Sequence, residues 1–267
     1  MLKDITLGQY FPGNSLLHKL DPRMKLVLTL FFIVLVFLPQ NWFGLGLVLA
    51  FLAVVVGLSR LPVNLLWRSM KPVLFIVLFT AALNILYVHE GTTLFRWQFI
   101  HVTSGGLVNA AFIAVRIFCL IIGSSLLTYT TTPTALTDGI ERLLSPLKLI
   151  KINPHELAMM MTIALRFIPT LMEETDKIMS AQKARGADME SGGLLSRVKA
   201  LVPILIPLFV SSFRRAYDLA MAMECRCYQG GEGRTRMKQL HTAPRDWVAL
   251  GVYSLVLAGL ILINVFL

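Results

Sequence analysis

Two arginines in this sequence lie in the same unusual setting, between small residues at the end of a predicted helix. Arg185 lies within Ala-Arg-Gly (184–186), and 41 residues later Arg226 lies within Cys-Arg-Cys (225–227). A guanidinium group presents a planar fork of N–H donors that fits a carboxylate in two places at once, which a lysine ammonium cannot do. Small neighbours also let another backbone approach closely. The two motifs are therefore candidates for docking into acidic clefts on a partner protein.

A simpler explanation exists for each arginine taken alone. A cation near the C-terminus of a helix stabilises the helix dipole by about 0.3–1 kcal/mol without any partner. The segments 168–184 and 213–225 both intersperse charged with apolar residues, and both stop at a glycine-containing sequence. Because the two arginines recur together in one charged part of the chain, we favour docking. The candidate docking residues are Ala184, Arg185, Gly186, Cys225, Arg226 and Cys227.

Other residue patterns that carry chemistry are incomplete. The Cys-x-Cys at 225–227 resembles half of a zinc site, but only His241 lies close enough in sequence to add a ligand. His155 begins a His-Glu pair, yet Met159 occupies the position of the second histidine in His-Glu-x-x-His. No Gly-x-x-x-x-Gly-Lys-Ser/Thr sequence occurs, so a P-loop for nucleotide phosphates is absent. We therefore expect no catalytic residue, metal or cofactor, and any ATP-driven role requires a partner.

The composition of the chain indicates a membrane protein. Of its 267 residues 56% are hydrophobic and only 15% are charged, and the mean hydropathy is +0.70. A single soluble core of this size would leave much apolar surface exposed. The net charge of +10 would suggest nucleic acid in a soluble protein. In a membrane protein it is better explained by positively charged cytoplasmic loops, so we expect no nucleic-acid partner.

Apolar runs near the length of a membrane-crossing helix divide the chain. They predict an all-α membrane protein with about five to six transmembrane helices and long amphipathic cytoplasmic coupling helices. Two further apolar stretches, 157–171 and 198–213, contain prolines and are predicted to lie partly in the membrane interface. The candidate spans are 26–38, 42–58, 73–88, 107–129 and 247–267.

The charged residues suggest three parts and one orientation. Residues 141–240 contain 15 of the 25 Lys and Arg and 10 of the 15 Asp and Glu. We therefore predict transmembrane helices in 1–130, a cytoplasmic or interfacial coupling module in 131–240, and a last transmembrane helix in 241–267. Lys and Arg flank the predicted inner loops, which places the N-terminus and the coupling module in the cytoplasm.

Five sequence segments together resemble one known family, the transmembrane T component of energy-coupling factor (ECF) transporters, with EcfT and CbiQ proteins as its members. The resemblance covers nearly the whole chain. Each segment alone is modest evidence, but their order and spacing are specific. The segments are 8–15 (GQYFPGNS), 17–25 (LHKLDPRMK), 165–169 (LRFIP), 182–187 (QKARGA) and 222–228 (AMECRCY).

The resemblance implies a non-catalytic scaffold in the plasma membrane of a prokaryote. Such a protein links two cytoplasmic ABC-type ATPases, which hydrolyse the ATP, to a substrate-binding S component that takes up a vitamin or a transition metal. In that family the X-Arg-X motifs dock on the ATPases, which assigns this role to 184–186 and 225–227. The first motif matches the usual Ala-Arg-Gly, whereas the second departs from it by having cysteines on both sides of Arg226.

An alternative function stays open at this point. A membrane-embedded enzyme acting on lipid or isoprenoid substrates would also be apolar and basic. Such an enzyme needs Asp, Glu or His clustered in or near its spans, and the predicted spans hold almost none. Co-purification with two ATPases separates the two functions.

Overall fold

The computed structural model describes residues 9–87, 92–97, 100–150, 153–187, 193–231 and 239–266. These residues form nine α-helices, one short 3₁₀-helix and one two-stranded antiparallel hairpin. In chain order the elements are α1 (Pro22–Phe37), α2 (Trp42–Ser59), α3 (Val63–Met70), α4 (Leu74–Tyr87), β1 (Thr93–Trp97), β2 (Ile100–Thr103), α5 (Ser104–Thr130), α6 (Pro133–Leu143), the 3₁₀-helix (Ser145–Ile150), α7 (Pro154–Ala184), α8 (Leu194–Glu224) and α9 (Pro244–Phe266).

The described residues form two compact units. The membrane unit contains 9–139 and 240–266, and the helix-pair unit contains 140–239. The prediction of an all-α membrane protein is confirmed, with one short hairpin added between α4 and α5. The predicted boundaries after 130 and 240 stay a prediction.

Helix α5 is the centre of the membrane unit. It packs against α1, α2, α3 and α4, and α9 packs against α1 and α2. Leu35, Val48, Cys119 and Leu260 are completely buried where these helices meet. Close approach of α1 and α5 depends on Gly123, because a Cβ atom there would overlap the ring of Phe32.

Four helices of the described residues are long and apolar enough to cross a bilayer, and a fifth span is possible. The helices α3 and α4 are separated by a short break with a bend of 54°, and together they also satisfy the requirement. Helix α1 has 16 residues, or about 24 Å, which is shorter than the roughly 30 Å hydrocarbon layer. The four long segments are Trp42–Ser59, Ser104–Thr130, Val198–Glu224 and Pro244–Phe266.

Side chains from two other helices donate hydrogen bonds to the backbone carbonyls that follow the short helix α1. Arg116 of α5 donates through Nη2 to the carbonyl of Pro39 over 2.7 Å, and Asn264 of α9 donates to the carbonyl of Leu38 over 2.8 Å. The Arg116 guanidinium also lies 4.9 Å from the ring centre of Phe112. Since unpaired backbone carbonyls are costly away from water, this charge within a predicted span stabilises the turn between α1 and α2.

The first and last helices are joined at their N-terminal ends. One carboxylate oxygen of Asp246 accepts from the backbone N–H of Asp21 over 2.9 Å, and the other accepts from the N–H of Ala243 over 2.7 Å. Arg23 donates to the carbonyl of Leu240 over 2.6 Å. Asp246 is therefore an acceptor for two chain segments that are more than two hundred residues apart.

The helix-pair unit is built mainly from α7 and α8, each of 31 residues. Both helices continue through internal prolines: Pro169 in α7, and Pro203 and Pro207 in α8. The sequence of each of these regions predicts an apolar stretch followed by a charged helix. The structure joins the two parts, because a proline removes only one backbone donor and a long helix tolerates it.

Candidate functional site: two arginine-bearing helix ends

Helix α7 ends in a tight backbone reversal that presents Arg185. The N–H of Gly186 donates to the carbonyl of Lys183 over 3.0 Å, and the N–H of Ala187 donates to the carbonyl of Gln182 over 3.0 Å. Gly186 has a φ of +84°, the left-handed conformation that this reversal needs. The pattern is a Schellman motif, in which glycine adopts the left-handed position at little cost.

Helix α8 ends in the same backbone arrangement. The N–H of Cys227 donates to the carbonyl of Glu224 over 2.8 Å, and the N–H of Tyr228 donates to the carbonyl of Met223 over 3.0 Å. Here the left-handed residue is Cys227, with a φ of +54°. Arg185 and Arg226 thus occupy equivalent positions, each directly before the residue with positive φ. Both motifs are recognisable in the sequence, and the structure gives them a common geometry.

All six candidate residues are exposed on the helix-pair unit. The side chains of Arg185 and Arg226 make no hydrogen bond or ion pair with any residue in the described ranges. Cys225 and Cys227 are free thiols. Each motif therefore combines an accessible guanidinium group with small side chains beside it. The docking role assigned to the six residues stays a prediction.

The two helix ends point away from each other along an antiparallel pair. Near one end, the hydroxyl of Tyr228 donates to Sδ of Met159 over 2.9 Å, close to the start of α7. Further along, Arg215 of α8 donates to Oε2 of Glu174 of α7 over 2.6 Å. Since α7 ends at Ala184, about 25 residues past Met159, the rise of 1.5 Å per residue separates the two motifs by roughly 35 Å along the helix.

The start of α7 is held by contacts that sequence reasoning did not find. His155 and Glu141 form an ion pair of 3.0 Å when the imidazole is protonated. Gly231 lies against the imidazole so closely that a Cβ atom there would overlap the ring. These contacts tie the segment after the second motif to the start of α7. The residues that make these contacts are not neighbours in the sequence, so no local pattern predicts the contacts.

Helix α8 also exposes a continuous apolar stripe, which begins in the proline-containing stretch 198–213 and continues past it. Its members recur every three or four residues, which places them on one face of the helix. The stripe follows most of the length of α8. Its residues are Val198, Leu201, Val202, Leu205, Ile206, Phe209, Val210, Phe213, Tyr217 and Met221, each at least 44% exposed.

Buried carboxylates in the membrane unit do not resemble an active site. Asp21 and Asp246 are the buried acidic residues in its described part, and both accept hydrogen bonds from backbone N–H groups at helix starts. Glu173 and Glu174 lie on α7 in the other unit, and Glu174 is paired with Arg215. Asp21, Asp246 and Glu174 therefore have structural roles, as acceptors at helix starts or as a partner in an ion pair.

Comparison with known proteins identifies a consistent set of relatives. A family model described as cobalt transport protein (CbiQ) matches residues 13–237. The chain is 53% identical over 264 residues to the energy-coupling factor transporter transmembrane protein EcfT of Ruminiclostridium cellulolyticum, covering 99% of this chain and 98% of the relative. It is 55% identical over 250 residues to EcfT of Clostridium kluyveri, covering 93% of each chain. It is 52% identical over 261 residues to EcfT of Bacillus subtilis, covering 98% of each chain.

Proposed function

The chain belongs to the CbiQ family of transport proteins, and we propose that it is the coupling subunit of an ECF-type ABC importer. In this role it spans the plasma membrane of a prokaryote and links two cytoplasmic ATPases to a substrate-binding S component for a vitamin or a transition metal. It hydrolyses no ATP itself. The N-terminus and the two arginine motifs lie on the cytoplasmic side, and the helix-pair unit lies in the cytoplasm or the membrane interface, where the apolar α8 can reach the bilayer.

One observation carries this proposal. Two arginines have the same backbone hydrogen-bond pattern, are exposed, and make no side-chain hydrogen bond or ion pair with the described residues. They also lie at opposite ends of an antiparallel helix pair, so one subunit presents one tip to each of two ATPases. When the ATPases close on ATP, their docking clefts move, and the helices carry the displacement to the membrane spans.

Charge reversal at the two arginines tests the docking. We expect Arg185→Glu or Arg226→Glu to weaken ATPase binding by roughly 30-fold or more, because the acidic cleft then faces a like charge. The double variant is expected to lose both co-purification of the ATPases and uptake into vesicles. Arg214→Glu is the matched control, since Arg214 is exposed on α8 outside the motif.

The test has a clear negative outcome. If the double variant retained wild-type amounts of both ATPases and normal uptake, the two tips would not be the docking groups. A purified chain that hydrolysed ATP without partners would also contradict the assignment as a non-catalytic subunit.

The apolar stripe of α8 is proposed to contact the S component. Support comes from its exposure, its length and its helical spacing, which suit a partner that is itself embedded in the membrane. Replacing Phe209 and Phe213 together by Ala is expected to reduce co-purification of the S component while the ATPases remain bound. The corresponding change of Phe75 and Phe79, exposed on α4, is the control. Equal loss in both double variants would contradict the proposed contact.

A further inference from the structure

The membrane unit contains an apolar cavity where α1, α2, α5 and α9 converge. Its volume is about 430 Å³, which lies within the range of about 300–1,000 Å³ for small-molecule sites. The side chains that line it are mostly aliphatic or aromatic. They include Leu28, Phe32, Leu52, Val55, Leu126 and Val252.

The charged residues that line the cavity lie at one end of it. Lys25, Thr130 and Arg245 line the end at which α1 and α9 begin and α5 stops, whereas Gly123 and Tyr253 line the other. From Arg245 to Tyr253 the cavity follows α9 for eight residues, or about 12 Å. One leaflet of the hydrocarbon layer is about 15 Å deep, so the cavity has the length of an acyl chain segment within a single leaflet.

Arg245 supplies a positive charge that lacks a partner in the described part of the chain. It is exposed and makes no side-chain hydrogen bond or ion pair there. The neighbouring carboxylate of Asp246 is directed to two backbone N–H groups. Arg245 also lies in the first turn of α9, where the helix dipole favours an anion rather than a cation.

Lys25, the second cation at this end, makes its hydrogen bonds within the protein. Its ammonium group donates to the carbonyl of Thr130 over 2.9 Å and to that of His18 over 3.3 Å. It therefore adds positive potential to the cavity entrance while its own hydrogen bonds are made within the protein. Among the described residues that line the cavity, the cation left without a hydrogen-bond or ion-pair partner is Arg245.

We propose that this cavity holds one acyl chain of an anionic phospholipid whose phosphate is bound by Arg245. A free phosphate ion would bind Arg245 but leave the apolar cavity without an occupant. An anionic phospholipid provides a phosphate for Arg245 and an acyl chain for the apolar wall of the cavity.

Lipid retention measured by native mass spectrometry tests this proposal. The full chain is taken from vesicles that contain equal amounts of phosphatidylglycerol and phosphatidylcholine with the same acyl chains. We expect wild type to retain phosphatidylglycerol about fivefold over phosphatidylcholine, the effect of one arginine near an anionic surface. Arg245→Gln is expected to abolish this preference, and Arg245→Lys to keep most of it.

Two pairs of variants separate the site from general effects. Arg60→Gln removes another exposed arginine of the membrane unit that does not line the cavity, and it is expected to retain the preference. Ala249→Phe fills the cavity and is expected to lose both lipids, whereas Ala258→Phe, exposed on the same helix, is expected to retain them. Thermal unfolding of every variant checks that the fold is intact.

Several outcomes would overturn the proposal. These are an equal retention of both lipids by wild type, an equal effect of Arg60→Gln and Arg245→Gln, and unchanged lipid in a folded Ala249→Phe protein. Displacement of the bound lipid by glycerol 3-phosphate alone would indicate a site for the headgroup without the acyl chain. Loss of a co-purified membrane protein from Ala249→Phe, with lipid retained, would indicate a protein occupant.

Discussion

At the scale of single residues, the two arginine motifs differ mainly in the type of residue that follows the arginine and adopts the left-handed conformation. Gly186 does so without a steric penalty, whereas Cys227 has a Cβ atom and pays roughly 1–2 kcal/mol. The sequence identified both arginines from their small neighbours. It could not identify Cys227 as a left-handed residue, because cysteine carries no local signal for that conformation.

Substitution at Gly186 tests whether the reversal itself positions Arg185. Gly186→Val forces a β-branched residue into positive φ, so we expect the helix end to rearrange and ATPase co-purification to fall by about tenfold. Gly193→Val is the matched control, because Gly193 is exposed with a φ of −72°. Normal ATPase binding by Gly186→Val would show that the guanidinium acts without this backbone geometry.

The converse change at Cys227 is expected to be favourable. Cys227→Gly relieves the left-handed strain, so we expect retained ATPase co-purification and a gain of about 1 kcal/mol in stability. Thermal unfolding of the purified subunit measures the gain. A loss of ATPase binding would mean that the thiol side chain, and not only its small size, contributes to docking.

At the scale of elements, the sequence predicted the apolar helices more accurately than the long pair. The predicted spans 42–58, 107–129 and 247–267 correspond to α2, α5 and α9 within a few residues, because each is a continuous apolar run. Helix α8 was predicted as two segments, an interfacial helix over 198–213 and a charged helix over 213–225, and the structure joins them into one helix. The antiparallel order of α7 and α8 depends on contacts such as Glu174 with Arg215, which no local pattern encodes.

Reversing the charges of that pair tests the antiparallel arrangement. Arg215→Glu places two carboxylates together, and we expect lower stability and weaker coupling of ATP hydrolysis to uptake. The combined Glu174→Arg and Arg215→Glu variant is expected to recover most of the loss, with a coupling energy of up to about 1 kcal/mol for this partly exposed pair. Asp218→Arg, an exposed site on α8, is the control. Additive effects of the two changes would exclude a direct pairing.

At the scale of the whole molecule, the orientation in the membrane can be tested with the natural cysteines. Cys225 and Cys227 are exposed free thiols, whereas Cys119 is completely buried in the core of the membrane unit. We expect a membrane-impermeant maleimide to label the chain in everted vesicles but not in right-side-out vesicles. Added ATPases are expected to protect the thiols, and Cys225→Ser with Cys227→Ser to abolish labelling. Labelling only from the outer side would reverse the proposed orientation.

The ends of α7 and α8 share one backbone conformation, and this limits how the subunit can distinguish one ATPase from another. Because the two chain reversals share one hydrogen-bond pattern, they do not distinguish two paralogous ATPases, so any pairing preference must reside in side chains next to the arginines. Exchanging the hexapeptides 182–187 and 223–228 should then swap the preference while both ends still assemble. A transporter with two identical ATPases would not need this distinction. The sequences of its two hexapeptides could then become alike.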